Sequence, residues 1–317
     1  RVLPSRRKRQ KHDAHELLLH VGAENLRRRR TLVKTIERNI MMLTLYKYQG
    51  AGNDFLIADN RDGAMRLSPE QVARLCDRRY GVGADGLMLL ETSDRYDFRM
   101  VYYNSDGSGG MMCGNGGRCI VAFAADRGVR NFEFEAADGY HCAEILSDDG
   151  VVKVVSLKMT DVKNVTEYQA LAGIQVPSAG YFLNTGTRHY VRFVDDVEHY
   201  DVVSEGRQIR YASELMPEGA NVNFVEPCGD VLKVRTYEKG VEDETNACGT
   251  GIVASCLAAW SSRAMEPQHI GLDRFRYDVR AKRDALAVEF TQKEDMLAAD
   301  VWLTGPAAYV AEIKVNI

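Results

Sequence analysis

The chain has 317 residues, 45% of them hydrophobic, which is enough for one large or two medium domains with their own cores. It contains no apolar run long enough to cross a membrane, so its composition predicts a soluble protein. Its seven cysteines lack the paired spacing of a zinc site, and their odd number disfavours a disulfide framework. With no signal peptide in the sequence, these features predict reduced thiols in the cytoplasm and no bound metal.

The formal net charge of −4 hides a strong asymmetry along the chain. Residues 1–40 hold 12 Lys or Arg against 4 Asp or Glu, whereas the rest of the chain holds 29 against 41. Runs of basic residues can bind nucleic acid, but the acidic remainder disfavours a nucleic-acid enzyme. The chain does not begin with Met, and Met41 and Met42 immediately precede the first strand-like run, so we expect the natural start there. Residues 1–41 are therefore predicted to be a basic extension, either disordered or artefactual.

Taken in chain order, the predicted elements of the first half are strands joined by glycine-rich loops. Residues 43–60 form a strand–turn–strand pattern around Gly50–Phe55. The further strand-like runs are Leu87–Leu90, Phe98–Tyr102, Phe132–Phe134, Cys142–Leu146 and Val151–Met159. One helix is predicted to begin after Ser68, with Pro69 in its first turn. Another is predicted from Cys113 to about Arg127.

The second half repeats this order of strands, glycine-rich loop, helix and further strands. Its predicted strands are Tyr190–Phe193, Val222–Val225, Val231–Tyr237, Ala285–Phe290, Met296–Leu303 and Ala308–Val315. Ala212–Met216 is predicted as a short helix, and a longer helix runs from Cys248 to about Ser262. A duplication of this size predicts two similar domains with an active site in the cleft between them.

The two halves share one motif, Cys-Gly-polar-Gly at the start of an apolar helix. It begins at Cys113 in the first half and at Cys248 in the second. Glycines allow the backbone to approach a ligand closely, and a helix start attracts anions through its free N–H groups. A cysteine in that position usually has a lowered pKa. Two matched motifs therefore predict two reactive thiols that face one substrate from opposite sides.

Paired thiols can do two kinds of chemistry. They can form a redox disulfide, or one thiolate can remove a proton while the opposite thiol donates one. Two glycine-rich helix starts aimed at one point favour the second, because they would hold a carboxylate beside the developing negative charge. The expected reaction is inversion of an amino-acid α-carbon. The other cysteines are expected to be small apolar residues of the core: Cys76, Cys119, Cys142, Cys228 and Cys256.

Further candidates are polar residues at strand ends. His189 follows a Gly turn and Glu238 precedes Cys248 by ten residues, and a base near a thiol would activate it. Asn53, Asn104 and Asn221 each lie at a strand end. There Asn either forms a turn or makes hydrogen bonds to polar groups of a substrate. From spacing alone, both readings stay open for all five residues.

The motifs together closely resemble those of the diaminopimelate epimerases. They are Gly50–Phe55, Gly81–Asp85, Asn104–Ser108, Cys113–Cys119, Glu238 and Cys248–Gly251, in this order over residues 42–317. The resemblance implies a cofactor-independent isomerase, without pyridoxal phosphate, that interconverts L,L- and meso-diaminopimelate for lysine and peptidoglycan synthesis. It also implies a mixed α/β (α+β) fold of two pseudo-symmetric domains, each a curved, mostly antiparallel sheet wrapped around a central helix.

The resemblance assigns roles to individual residues. Cys113 and Cys248 would be the acid/base pair, with His189 and Glu238 helping to set their protonation. The substrate-binding residues implied are Asn53, Asn104, Gly114, Asn115, Asn221, Lys239, Gly249 and Thr250. The domains implied are 42–157 plus 306–317 and 158–305. The expected partner is the small-molecule substrate, without nucleic acid or membrane, and a homodimer is one option for assembly.

The chain departs from the family pattern at four places. Lys239 replaces a usual Arg, Thr187-Arg188 replaces Asn-Pro, Gly86 replaces a frequent Gln, and residues 241–245 are one residue longer than usual. Because Lys offers a carboxylate only a point charge, we expect Arg188 to supply part of the missing charge.

Related functions fit less well. A proline racemase would carry His where this chain has Asn115, and a phenazine-type isomerase would lack the cysteine pair. A thiol redox protein would not need two separate anion sites, and a non-catalytic binding module would be expected to lose a cysteine. Another amino-acid racemase or epimerase of the same fold superfamily is the main alternative.

Overall fold

Seventeen strands, four α-helices and one 3-10 helix make up the described part of the computed structural model, which covers residues 42–110, 112–174 and 179–317. The predicted extension over residues 1–41 lies outside these ranges. The mixed α/β class is as predicted. Among the described residues, no helix is both long and apolar enough to span a bilayer. Residues 45–313 form one compact unit.

The first half contains seven strands and two helices. The strands are β1 (Met42–Gly50), β2 (Asn53–Asp59), β3 (Gly86–Glu91), β4 (Phe98–Asn104), β5 (Glu133–Ala136), β6 (Gly139–Asp148) and β7 (Val152–Lys158), and the helices are α1 (Pro69–Cys76) and α2 (Gly114–Asp126). Helix α1 begins as predicted, because the Ser68 hydroxyl accepts the Gln71 N–H while the Gln71 side chain accepts the Ser68 N–H.

The second half contains the remaining elements. The strands are β8 (Thr166–Tyr168), β9 (Gly180–Asn184), β10 (Arg188–Phe193), β11 (Asn221–Cys228), β12 (Val231–Glu238), β13 (Asp243–Thr245), β14 (Gln268–His269), β15 (Arg274–Arg280), β16 (Ala285–Lys293) and β17 (Met296–Asn316), and the helices are α3 (Val202–Arg210), a 3-10 turn (Ser213–Leu215) and α4 (Gly249–Ser262). The two predicted C-terminal strands are one continuous strand, β17, because residues 302–308, which link them, pair with β7. Helix α3 and strands β8, β9, β13, β14 and β15 were not predicted.

Strand pairing follows the same scheme in both halves. The parallel pair β2–β3 corresponds to β10–β11, and the antiparallel pair β3–β4 corresponds to β11–β12. After the helix, the parallel pair β4–β5 corresponds to β12–β15, and two antiparallel pairs complete each half. Strand β17 then pairs antiparallel with β7. The predicted pseudo-symmetry is therefore present in the fold, while the domain boundaries at 157/158 and 305/306 stay predictions.

Helices α2 and α4 lie at the centres of the two halves. Residues 114–124 of α2 are all buried, and among residues 249–259 of α4 only Thr250 is partly exposed. Strands β2, β3, β6 and β7 pack around α2, and strands β9 to β12 and β16 pack around α4. A helix that is apolar on nearly every face is stable only when it is enclosed in this way, and both helix sequences have that composition.

Candidate active site

The two central helices begin at the two motif cysteines. Cys113 is the N-cap of α2 and Cys248 is the N-cap of α4, as the sequence predicts. The following glycines touch: a Cβ built on Gly114 would lie 3.6 Å from the Gly249 Cα, and one built on Gly249 would lie 3.4 Å from the Gly114 Cα. This close approach brings two positively polarised helix starts to one place.

The Cys113 sulfur is held by the main chain of its own helix. Its Sγ accepts the Gly116 N–H at 3.2 Å. Burial raises the pKa of the Cys113 thiol, and the N–H groups of Gly116 and Asn115 only partly oppose this rise. The predicted lowering of the pKa is therefore wrong for this site, because loss of water disfavours the thiolate more than the helix start favours it.

The Cys248 sulfur faces side chains instead. The residue is 9% exposed, and its Sγ lies 3.5 Å from the Thr250 hydroxyl. The pKa of the Cys248 thiol is raised to about 12, mainly by burial and then by the negative charge of Glu238, with a smaller contribution from Cys113. Each thiolate therefore opposes ionisation of the other thiol, so a state with two thiolates is disfavoured.

His189 reaches Cys248 through a threonine. It lies in β10 and is fully buried, with its Nε2 at 2.8 Å from the Thr187 Oγ1 and 2.9 Å from the Thr250 Oγ1. Its Nδ1 lies 3.1 Å from the Asn223 Nδ2. Burial lowers the pKa of His189 to about 3, so the imidazole is neutral at physiological pH.

Glu238 is the charged group common to both thiols. It ends β12, and its negative charge raises the pKa of Cys113 and of Cys248. Burial raises the pKa of the Glu238 carboxyl itself, and the nearby charge of Asp85 adds to that rise. A carboxyl with a raised pKa is closer to accepting a proton at working pH.

Asn53 and Asn115 connect the two cysteine loops. The Asn115 Nδ2 donates to the Asn53 Oδ1 at 2.6 Å and to the Ala247 carbonyl, next to Cys248, at 2.9 Å. The Asn53 Nδ2 donates to Asp85 at 2.8 Å. The predicted substrate residues Asn53 and Asn115 are therefore brought together, although both amides are already engaged with protein groups.

Asn221 and Lys239 form a second group. The Asn221 Oδ1 accepts the Lys239 backbone N–H at 2.8 Å, and its Nδ2 donates to the Arg188 carbonyl at 3.2 Å. The Lys239 side chain is exposed. Asn104 donates through Nδ2 to the Ser108 hydroxyl in its own loop at 3.0 Å, and its contact with a substrate stays a prediction.

Comparisons with known proteins agree with the motifs. A family model described as diaminopimelate epimerase matches residues 45–165 and 181–308. A relative from Flavobacterium psychrophilum, named diaminopimelate epimerase, is 41% identical over 280 residues, which cover 86% of this chain and all of the relative. The chain belongs to the diaminopimelate epimerase family. A member of this family of isomerases from Aquifex aeolicus is 38% identical over 287 residues, or 86% of this chain and 98% of the relative.

Solved structures show the same fold outside the diaminopimelate epimerase family. A phenazine biosynthesis protein of the PhzF family from Bacillus anthracis has a TM-score of 0.65 at 16% identity, covering 87% of this chain and all of that one. A hydroxyproline epimerase from Agrobacterium vitis, with bound trans-4-hydroxy-L-proline, has a TM-score of 0.59 at 16% identity, covering 88% and 92%. At these identities the likeness concerns the fold alone.

Two departures from the diaminopimelate epimerase pattern have local physical causes. At Gly86 a Cβ would lie 2.4 Å from the Tyr102 ring, so a larger residue would require that ring to move. In the longer loop, Glu242 adopts a left-handed φ of 59°, and its carboxylate accepts hydrogen bonds from the hydroxyls of Tyr211 and Tyr237 at 3.1 Å. The longer loop is thus held in place by the hydrogen bonds of Glu242.

Sequence reasoning missed one buried cation in this diaminopimelate epimerase family site. Arg118 is fully buried, and its guanidinium donates to the Asn115 Oδ1 at 2.8 Å, the Gly114 carbonyl at 3.2 Å and the Pro306 carbonyl at 3.4 Å. Its position among apolar residues of a helix could have indicated such a role. Arg118 stabilises the start of α2 through its hydrogen bonds to Gly114 and Asn115.

Proposed function

We propose that the protein interconverts L,L- and meso-diaminopimelate by inverting one α-carbon between Cys113 and Cys248. The observation that carries the proposal is the meeting of Gly114 and Gly249, which aims two cysteine-capped helix starts at one small region. Family membership gives the substrate, since the relatives are named diaminopimelate epimerase.

The helix starts would hold the substrate carboxylate at the reacting centre. The first N–H groups of a helix have no partner within it, and at Gly114, Asn115, Gly249 and Thr250 they would face the same carboxylate. Removal of the α-proton moves negative charge onto that carboxylate. Preorganised N–H donors stabilise such charge more strongly in a site that excludes water.

One thiolate and one thiol complete the reaction. The thiolate takes the α-proton and becomes a thiol, the α-carbon becomes a carbanion, and the opposite thiol donates its proton to the other face. The two sulfurs exchange protonation states in each turnover, so the same pair serves both directions. Burial supports this scheme, because a thiolate with a raised pKa is a stronger base toward the weakly acidic α-proton.

The proposal extends to the setting of the enzyme. All seven cysteines lie among the described residues and are free. Acid–base use of Cys113 and Cys248 needs reducing surroundings, so we place the enzyme in the cytoplasm, in lysine and peptidoglycan precursor synthesis and without pyridoxal phosphate. A homodimer stays a prediction, which light scattering would test.

The decisive experiment is incubation with L,L-diaminopimelate in D2O without added cofactor, followed by NMR. We expect deuterium at the α-carbon together with the meso isomer, and loss of the meso isomer in Cys113→Ala and in Cys248→Ala by about a thousandfold or more. Cys228→Ala, which removes a thiol that was expected in the core but is exposed, is the matched control and should retain activity. Formation of the meso isomer that survives either active-site substitution would contradict the two-thiol scheme, whereas the remaining thiolate can still exchange the α-proton of one stereoisomer. The absence of any exchange in the folded, unsubstituted protein would contradict diaminopimelate as the substrate.

A further inference from the structure

The orientation of one buried amide can be fixed without reference to the histidine beside it. Asn223 is fully buried in β11. Its Nδ2 lies 3.3 Å from the Tyr190 carbonyl, which can only accept a hydrogen bond, so the amide nitrogen must face that carbonyl. On the other side, its Oδ1 accepts the Thr236 hydroxyl at 2.9 Å.

This orientation decides which nitrogen of His189 carries the proton. The Asn223 Nδ2 lies 3.1 Å from the His189 Nδ1. An N–H donor facing Nδ1 requires a lone pair there, so the neutral imidazole carries its hydrogen on Nε2. Burial acts in the same direction, since it disfavours the imidazolium and lowers the pKa of His189.

The Nε2–H then sets the direction of the next hydrogen bonds. It faces the hydroxyls of Thr187 and Thr250 at 2.8 and 2.9 Å. A hydroxyl that accepts this hydrogen can direct its own hydrogen onward, and the Thr250 Oγ1 lies 3.5 Å from the Cys248 Sγ. The side chains that contact the ring nitrogens, Thr187, Thr250 and Asn223, carry no charge. Beyond Thr250, the groups that act on Cys248 are the backbone N–H of Gly251, which favours the thiolate, and the negative charges of Glu238 and Cys113, which oppose it.

We propose that Asn223 is a positioning residue that fixes His189 as the Nε2–H tautomer and thereby makes Thr250 a hydrogen-bond donor to the Cys248 thiolate. His189 is then a donor in this chain of contacts and not the base that deprotonates Cys248. The effect on catalysis rests on the proposed function, whereas the tautomer does not.

The tautomer can be measured directly in the full protein labelled with 15N-histidine. Long-range proton–nitrogen NMR spectra distinguish the two neutral tautomers and the imidazolium, and His189→Gln identifies the signals of His189. We expect Nε2–H, with no protonation of His189 between about pH 5 and pH 9. An Nδ1–H tautomer or an imidazolium in this range overturns the proposal.

Asn223→Asp tests the positioning role. A carboxylate in place of the amide accepts a hydrogen bond, so we expect the His189 Nδ1 to become protonated. We also expect kcat to fall about 10- to 100-fold with KM within about twofold, since two residues, His189 and Thr250, lie between Asn223 and the sulfur. An unchanged tautomer in folded Asn223→Asp protein overturns the proposal. If this variant does not fold, the tautomer of the unsubstituted protein decides.

Thr250→Val tests the last contact. Rates of alkylation against pH, measured by mass spectrometry on the peptide that contains each cysteine, report each thiolate separately from the exposed Cys228 when the other active-site cysteine is replaced by alanine. We expect Thr250→Val to move the alkylation midpoint of Cys248 to higher pH and to leave that of Cys113 in place. Equal shifts at both thiols, or no shift at Cys248, contradict the proposal. Both alkylation and tautomer are measurable without turnover, so a failure of the proposed function would be recognised separately.

Discussion

Cys113 and Cys248 occupy equivalent positions in the two halves, yet their sulfurs are stabilised in different ways. The Cys113 sulfur accepts an N–H from its own helix, at Gly116. The Cys248 sulfur has no such side-chain cap and faces the Thr250 hydroxyl. Duplication has therefore kept the backbone framework of the two sites while the polar contacts of the sulfurs have diverged.

The groups behind the sulfurs differ in the same way. A buried cation, Arg118, binds the start of α2, whereas a buried neutral imidazole, His189, supports the start of α4. A helix N–H is a permanent donor, whereas a chain of hydroxyl and imidazole groups donates only in the direction that the imidazole tautomer sets. The comparison shows that the pKa values of two thiols with one shared task can be set independently, because each half supplies different side chains around its own sulfur.

The largest effect is expected for Glu238, whose charge acts on both thiols. Glu238→Gln removes a negative charge that raises both thiol pKas, so both alkylation midpoints should move to lower pH. We expect kcat to fall about 100-fold or more, because the carboxylate can no longer accept a proton. Glu294→Gln, at an exposed glutamate outside the site, is the control. A shift at only one thiol would show that the charge of Glu238 acts on only one of the two cysteines.

Matched glycines give the next test. A Cβ on Gly251 would lie 2.3 Å from the Asn223 Oδ1 and 3.2 Å from the His189 ring, whereas one on the equivalent Gly116 would lie 3.2 Å from the Cys113 sulfur. We therefore expect Gly251→Ala to lower kcat about 10- to 100-fold and Gly116→Ala to lower it less than about tenfold, since the amide is held rigidly and the sulfur can move. Thermal unfolding would separate misfolding from loss of chemistry, and equal losses would mean that the two sites are equally tolerant.

The smallest effect is expected at the departure near Lys239. Arg188 pairs with Glu218, and its guanidinium lies 5.1 Å from the centre of the Phe182 ring. Because this pairing already occupies part of its charge, we expect Arg188→Ala to raise KM for diaminopimelate about two- to fivefold with little change in kcat. Arg188→Lys is the conservative comparison. An unchanged KM in steady-state kinetics would exclude Arg188 from substrate recognition.

The sequence predicted the features that depend on local signals. The repeated Cys-Gly-polar-Gly pattern placed both central helices, and Ser68-Pro69 placed α1. Helix α3 was missed because Val202 and Val203 favour strands, and its Asp201 cap is a weak signal alone.

Features that depend on tertiary contacts could not be predicted. The thiol pKas rise because burial outweighs the helix start, and burial is not visible in a motif. Asn223 carried one hint, since it lies two residues after Asn221 on the same strand and so on the same face. Its contact with His189 arises only from the parallel pairing of β10 and β11.

The position of strand β17 has a further consequence for how the protein folds. It covers an edge of β16 and an edge of β7, which belong to different halves, and its partner Lys158 is far from Trp302 in sequence. Contacts of such long sequence separation form late in folding. Until then both halves carry an open sheet edge, and open edges are templates for pairing with other chains. The last strand therefore protects both halves against aggregation at the same moment that it joins them.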